Sequence, residues 1–154
     1  MTIAPNAPGA WEGTGAIGVS LSADRTLGRC ALAASAAASK LGRDIVVLGV
    51  EKLLGLTDAF VVTSGANPRQ VRTIKDEVER QLKLAGNGGP LCVEGLDDAR
   101  WVLMDYGDFI VHVFLEEARQ FYDLEHLWGD APTWAWDERA GSLVGTGRGA
   151  LTPH

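Results

Sequence analysis

The chain has 154 residues, enough for one domain with a substantial core, and its 46% hydrophobic and 22% charged composition is that of a soluble globular protein. No run approaches the roughly 18 apolar residues of a membrane span, and a basic, apolar leader is missing from the N-terminus, so the expected compartment is the cytoplasm. The net charge of −6 is lopsided: residues 94–130 hold ten acids against Arg100 and Arg119, while residues 1–93 carry two excess cations and residues 131–154 balance. Such a field disfavours sequence-specific nucleic-acid binding and suits a basic partner, although surface acids that only keep a small protein soluble would give the same count. Cys30 and Cys92 are too few for a disulfide framework and are expected as buried, reduced thiols.

In chain order, residues 1–20 are rich in Gly, Ala and Pro without apolar periodicity, which predicts an N-terminal arm. From Ser22 an Ala-dominated segment runs to Lys40, with Leu27, Ala31, Ala34 and Ala38 on one helical face and Gly42 suited to its stop. Asp44–Val50 is a near-continuous aliphatic run, the pattern of a strand covered on both faces. Asp58–Thr63 forms a second strand, ending at Ser64-Gly65. Asn67 then caps a helix with Pro68 at its first position and Gln70 behind it, and Val71, Ile74, Val78 and Leu82 make its core stripe. Gly86–Pro90 ends that helix, and Leu91–Glu94 starts a third strand.

Trp101–Met104 and Phe109–Phe114 flank Asp105-Tyr106-Gly107-Asp108, a hairpin with Gly107 at the tight connection. A short helix follows Glu116-Glu117, where Ala118, Phe121, Leu124, Leu127 and Trp128 recur at helical spacing, with Phe121 and Trp128 expected in the core. Gly129–Pro132 ends the compact region. The order α-β-β-α-β-β-β-α predicts a mixed α/β fold: a single domain over residues 21–132, an approximately five-stranded mixed sheet flanked by helices, and a C-terminal tail over 133–154.

Catalytic chemistry finds little support. Ser64-Gly65 joins a strand to a capped helix, but neither a P-loop nor a Gly-x-Gly-x-x-Gly is present, and good turn chemistry is the simpler reading. Asp97-Asp98 and Asp105-x-x-Asp108 lack the converging geometry of a two-metal site. His112 lies inside an apolar strand, apart from His126 and His154, and fits a hydrogen-bonded core residue better than a base. No catalytic residue, metal or cofactor is therefore expected. Trp101 and Tyr106, near the hairpin turn among acids, fit two readings equally: anchors of a protein interface, or core.

Several segments, in this order and spacing, resemble the ribosomal silencing factor family, also called Iojap-related. They are Asp44-Ile-Val-Val-Leu48, Leu56-Thr-Asp58 with Phe60-Val-Val62, Ser64-Gly65 with Arg69-Gln-Val71, and Val93-Glu-Gly95. Further along come Arg100-Trp101-x-Leu103-x-Asp105-Tyr-Gly-Asp108, Val111-His-Val113, and Phe121-Tyr-x-Leu-Glu-x-Leu-Trp-Gly-Asp130. The resemblance covers Leu27–Pro132. It implies a nucleotidyltransferase-like α/β fold without that superfamily's catalytic carboxylate pair. It also implies binding to the large ribosomal subunit through large-subunit ribosomal protein fourteen, which blocks joining of the small subunit and represses translation in starvation. Organelle relatives assist large-subunit assembly, and family members tend to form homodimers. The partner-binding residues it implies are Glu94, Trp101, Asp105, Tyr106, Gly107 and Asp108; Met104 replaces a more usual aliphatic residue. An assembly factor without silencing and a nucleotidyltransferase-type enzyme are the rival functions.

Overall fold

The computed structural model describes residues 21–50, 57–127 and 129–146. The arm expected over residues 1–20, the connection over 51–56, Trp128 and residues 147–154 lie outside the described residues. Helix α1 (Leu21–Ser39) is followed by strands β1 (Arg43–Gly49) and β2 (Ala59–Gly65), helix α2 (Pro68–Leu84) and strand β3 (Cys92–Glu94). Then come β4 (Trp101–Asp105), β5 (Phe109–Leu115), the short helices α3 (Glu116–Tyr122) and α4 (Leu124–Leu127), and strands β6 (Thr133–Asp137) and β7 (Ser142–Gly145).

The strands form one seven-stranded mixed sheet in the order β3-β4-β5-β2-β1-β6-β7. Only the β2–β5 pair among them is parallel. The crossover between those two strands carries α2, as a parallel connection requires. β2 lies centrally between β5 and β1, and all seven of its residues are buried.

Two of the helices close one face of the sheet. Alanine combines high helix propensity with minimal bulk, so α1 can approach the strands closely through Ala33, Ala34, Ala36 and Ala37. On α2, Asn67 Oδ1 accepts the Gln70 amide at 2.9 Å, and Val71, Ile74, Val78 and Leu82 are all fully buried. These helices pack on Val47, Val61, Val102, Met104, Phe109, Val111 and Val113. Strand alternation turns the neighbouring residues to the other face, where Leu48, Phe60, Val62 and Phe114 meet Ala118 of α3 and Leu124 of α4.

Two expectations about extent are corrected. The sheet has seven strands rather than about five, because Thr133–Asp137 and Ser142–Gly145 form a hairpin and do not behave as a tail. β6 pairs with β1 through Val46↔Ala135, Val47↔Trp134 and Leu48↔Thr133, and Leu143 of β7 joins the helix-side core. The alternation in Thr-Trp-Ala-Trp-Asp suits a strand that covers the free edge of β1. Cysteine burial is also corrected: Cys30 is buried and free, whereas Cys92 is free but exposed on β3, the short strand at the sheet edge.

Candidate docking site

The hairpin forms with a two-residue connection, Gly107-Asp108. The Tyr106 amide donates to the Phe109 carbonyl at 3.0 Å, Gly107 takes φ +94°, and Asp105 Oδ1 accepts the Gly107 amide at 2.8 Å. Upstream, Gly95 at φ +88° turns the chain from β3 into the loop before β4. A Cβ there would sit 2.0 Å from the Trp101 carbonyl oxygen, so only glycine fits beside the start of β4.

Alternation along β4 decides which side chains point where. Val102, Met104 and Tyr106 face the helices and are buried, while Trp101, Leu103 and Asp105 face the other side and are half-buried. Registers with the adjacent strands place Glu94 opposite Leu103, and Cys92 and Ile110 on either side of Asp105. The result is a surface at the β3-β4-β5 end of the sheet, with Trp101, Leu103 and Ile110 as apolar elements and Glu94 and Asp105 as acids. The mild departure at Met104 falls on the opposite, closed face.

Trp101 is held by its neighbours. Its ring stacks on Phe114 with centroids 4.9 Å apart and meets Tyr122 at 4.6 Å, and its indole Nε1–H donates to His112 Nδ1 at 3.0 Å. Tyr122 in turn packs edge-on against Phe121 at 5.1 Å. Tyr122 is 44% exposed and Phe121 78%, so the aromatic row continues outward from Trp101 onto α3. Leu127 of α4 is also exposed, at 67%.

Arg119 fixes α3 and α4 against the sheet. It pairs with Glu125, and its guanidinium donates to the carbonyls of Arg43 at 3.0 Å and Asp44 at 2.7 Å.

Not every residue expected at the site is on this surface. Glu94, Trp101 and Asp105 are. Gly107 shapes the turn. Tyr106 is 7% exposed, lies on the helix side and stacks against Phe109 at 5.0 Å with rings 7° apart. Burial pushes its hydroxyl up to about 12, so it stays neutral. Asp108 binds Arg29 of α1 at 2.7 Å and accepts the Thr26 hydroxyl at 2.9 Å, a tie between the hairpin and the helix layer. The two placements have different causes: parity along β4 turns Tyr106 to the helix side, whereas Asp108, in the turn itself, is held there by Arg29 and Thr26. Phe121, expected in the core, is corrected in the other direction. α3 ends at Tyr122, and Asp123 at φ +50° caps it, which breaks the helical phase assumed across both segments.

The turn after β2 is closed on its α2 side, and on the other side Ser64 lines a polar pocket with Asp44, Glu116, Arg119 and Glu125. Ser64 is buried with its hydroxyl beside Arg119, and Gln70 fills the turn, donating to the carbonyls of Lys40 and Leu41 and accepting the Ala66 amide. Among the described residues no group of three His, Cys, Asp or Glu is placed to hold a metal ion, and no helix is long and apolar enough to cross a membrane.

Fold and surface together define a mixed α/β scaffold that closes one sheet face with long helices and leaves the other part-open beside an edge strand. A family model described as ribosomal silencing factor during starvation matches residues 23–146. The chain is 42% identical over 102 residues to ribosomal silencing factor RsfS of Bacillus subtilis, spanning 66% of this chain and 85% of that protein. It is 34% identical over 88 residues to mouse "mitochondrial assembly of ribosomal large subunit protein 1", spanning 56% of this chain and 39% of the relative. A crystal structure of a Chromobacterium violaceum protein superposes with a TM-score of 0.61 at 40% identity, covering 64% of this chain and 81% of that one. The chain belongs to the ribosomal silencing factor family, the group that also includes the Iojap proteins.

Proposed function

We propose that this family member binds the large ribosomal subunit through large-subunit ribosomal protein fourteen, using the part-open face around Trp101. By occupying that site it sterically excludes the small subunit and represses translation. The observation that carries the reading is the part-exposed aromatic row Phe121-Tyr122-Trp101, on the sheet face that also carries Glu94 and Asp105. Large aromatics anchor protein interfaces, and a rim of acids selects a basic counterpart. The action requires occupancy alone, with no turnover, metal or cofactor.

The name of the mouse relative, which assigns that protein to large-subunit assembly, favours a second reading: binding precursor subunits without silencing mature ones. Sucrose-gradient sedimentation of purified large and small subunits separates the two. The silencing reading expects added protein to shift joined ribosomes into separate subunit peaks. Unchanged joining, with the protein still bound to large subunits, leaves assembly as the function. Sustained turnover of labelled nucleotides with Mg²⁺ would instead favour an enzyme.

A further inference from the structure

We infer that His112 is a positioning residue for Trp101, holding the indole in its docking orientation through a hydrogen bond made on the same sheet face. The inference rests on the proposed docking role of Trp101 and adds the residue that sets it. An indole nitrogen only donates, so at 3.0 Å the His112 Nδ1 must be the acceptor, and the proton of the neutral ring is on Nε2.

The surroundings keep the ring in that form. His112 is 4% exposed and lies edge-on to Phe60 with centroids 4.5 Å apart. Its register neighbours are Leu103 on β4 and Val62 on β2, neither of them charged. Burial pushes its pKa down to about 4, so Nδ1 keeps its lone pair throughout the neutral range. Nε2 is buried with no hydrogen-bond partner among the described residues. An apolar side chain would relieve that cost, so the histidine's polar contribution is the bond to Trp101.

The geometry has a consequence for recognition. With its N–H already committed inside the protein, Trp101 offers a partner a ring surface and no hydrogen-bond donor. The complementary site must therefore be an apolar or cationic surface that accepts a ring, with nothing lost by lacking an acceptor there.

The test begins with the free, full-length protein, where ribosome binding plays no part. Long-range ¹H–¹⁵N spectra should show His112 as the Nε2–H tautomer from pH 8 to pH 5. The Trp101 indole proton, assigned by its loss in Trp101→Phe, should resonate downfield of those of Trp134 and Trp136, whose indole nitrogens are buried without hydrogen-bond partners among the described residues. An Nδ1–H tautomer would overturn the inference whatever the protein binds.

Binding to large subunits supplies the second arm. His112→Leu removes the acceptor and should weaken binding about tenfold, the scale of one neutral hydrogen bond. His112→Asn, which keeps an oxygen near the Nδ1 position, should restore most of it. Ile74→Val, on the closed face, controls for general loosening and should bind as wild type. If Trp101→Ala weakens binding but His112→Leu does not, the positioning role is wrong; if Trp101→Ala itself binds normally, the docking reading is what fails.

Discussion

The two faces of one sheet divide the work of this protein. On the helix side, Val61, Val102, Met104, Val111 and Val113 are fully buried beneath α1 and α2, and even Tyr106 and Asp108 are drawn into that layer. On the other side, cover is complete only near α3 and α4, and the residues at the β3-β4-β5 end remain part-exposed. The same five-residue strand serves both, because alternate residues of β4 belong to different environments. The fully buried core is concentrated on the closed face, and the part-exposed surface proposed for recognition on the open one.

The sharpest way to break this division is Ile74→Ala on α2. The side chain is fully buried, and its loss should cost about 3 kcal/mol of folding stability, read from denaturant unfolding. An effect below about 1 kcal/mol would mean the closed face is not where stability resides.

Next comes pH. His112 has a folded-state pKa near 4 against an ordinary value of 6.5, so between those values the unfolded chain binds the extra proton. Stability attributable to this group is therefore unaffected above pH 6.5. It declines as pH falls toward 4, by about 3 kcal/mol in total, and is flat below that. His112→Leu should flatten the decline, with unfolding followed at several pH values.

On the open face, Phe121→Ser should leave the melting temperature nearly unchanged, because the ring is already in solvent, yet weaken large-subunit binding by about 1 kcal/mol. A drop in stability without a change in binding would return Phe121 to a structural role. The smallest effect belongs to charge. Glu94→Gln with Asp105→Asn should slow association at low salt and make little difference at high salt, where exposed charges are screened. Equal loss at both ionic strengths would remove the electrostatic account.

Much of the closed face was legible in the sequence, since Val71, Ile74, Val78 and Leu82 announce a helix stripe and Asn67-Pro68 its start. The β6–β7 hairpin was not, although a hint was present. A five-strand reading leaves β1 at the sheet edge, and an aliphatic run such as Ile45–Leu48 calls for a neighbour on each side. The Thr-Trp-Ala-Trp-Asp alternation that supplies it was overshadowed by nearby glycines. On the site, the family resemblance named Glu94, Trp101 and Asp105, which the structure places on one face. It also named Tyr106, which parity along β4 turns to the closed face, and Asp108, which the turn brings to Arg29. Phe121 reads as core from the sequence because the left-handed break at Asp123, which divides α3 from α4, is not marked by a glycine.

Trp101 is where the two faces' accounts meet, and its substitution tests the central claim most directly. Purified Trp101→Ala protein, confirmed as folded by its circular dichroism and cooperative melt, should be sedimented with isolated large subunits beside the wild type. The account predicts about thirtyfold weaker co-sedimentation, the effect of losing one interface anchor worth about 2 kcal/mol. A folded variant that co-sediments as the wild type does would contradict it.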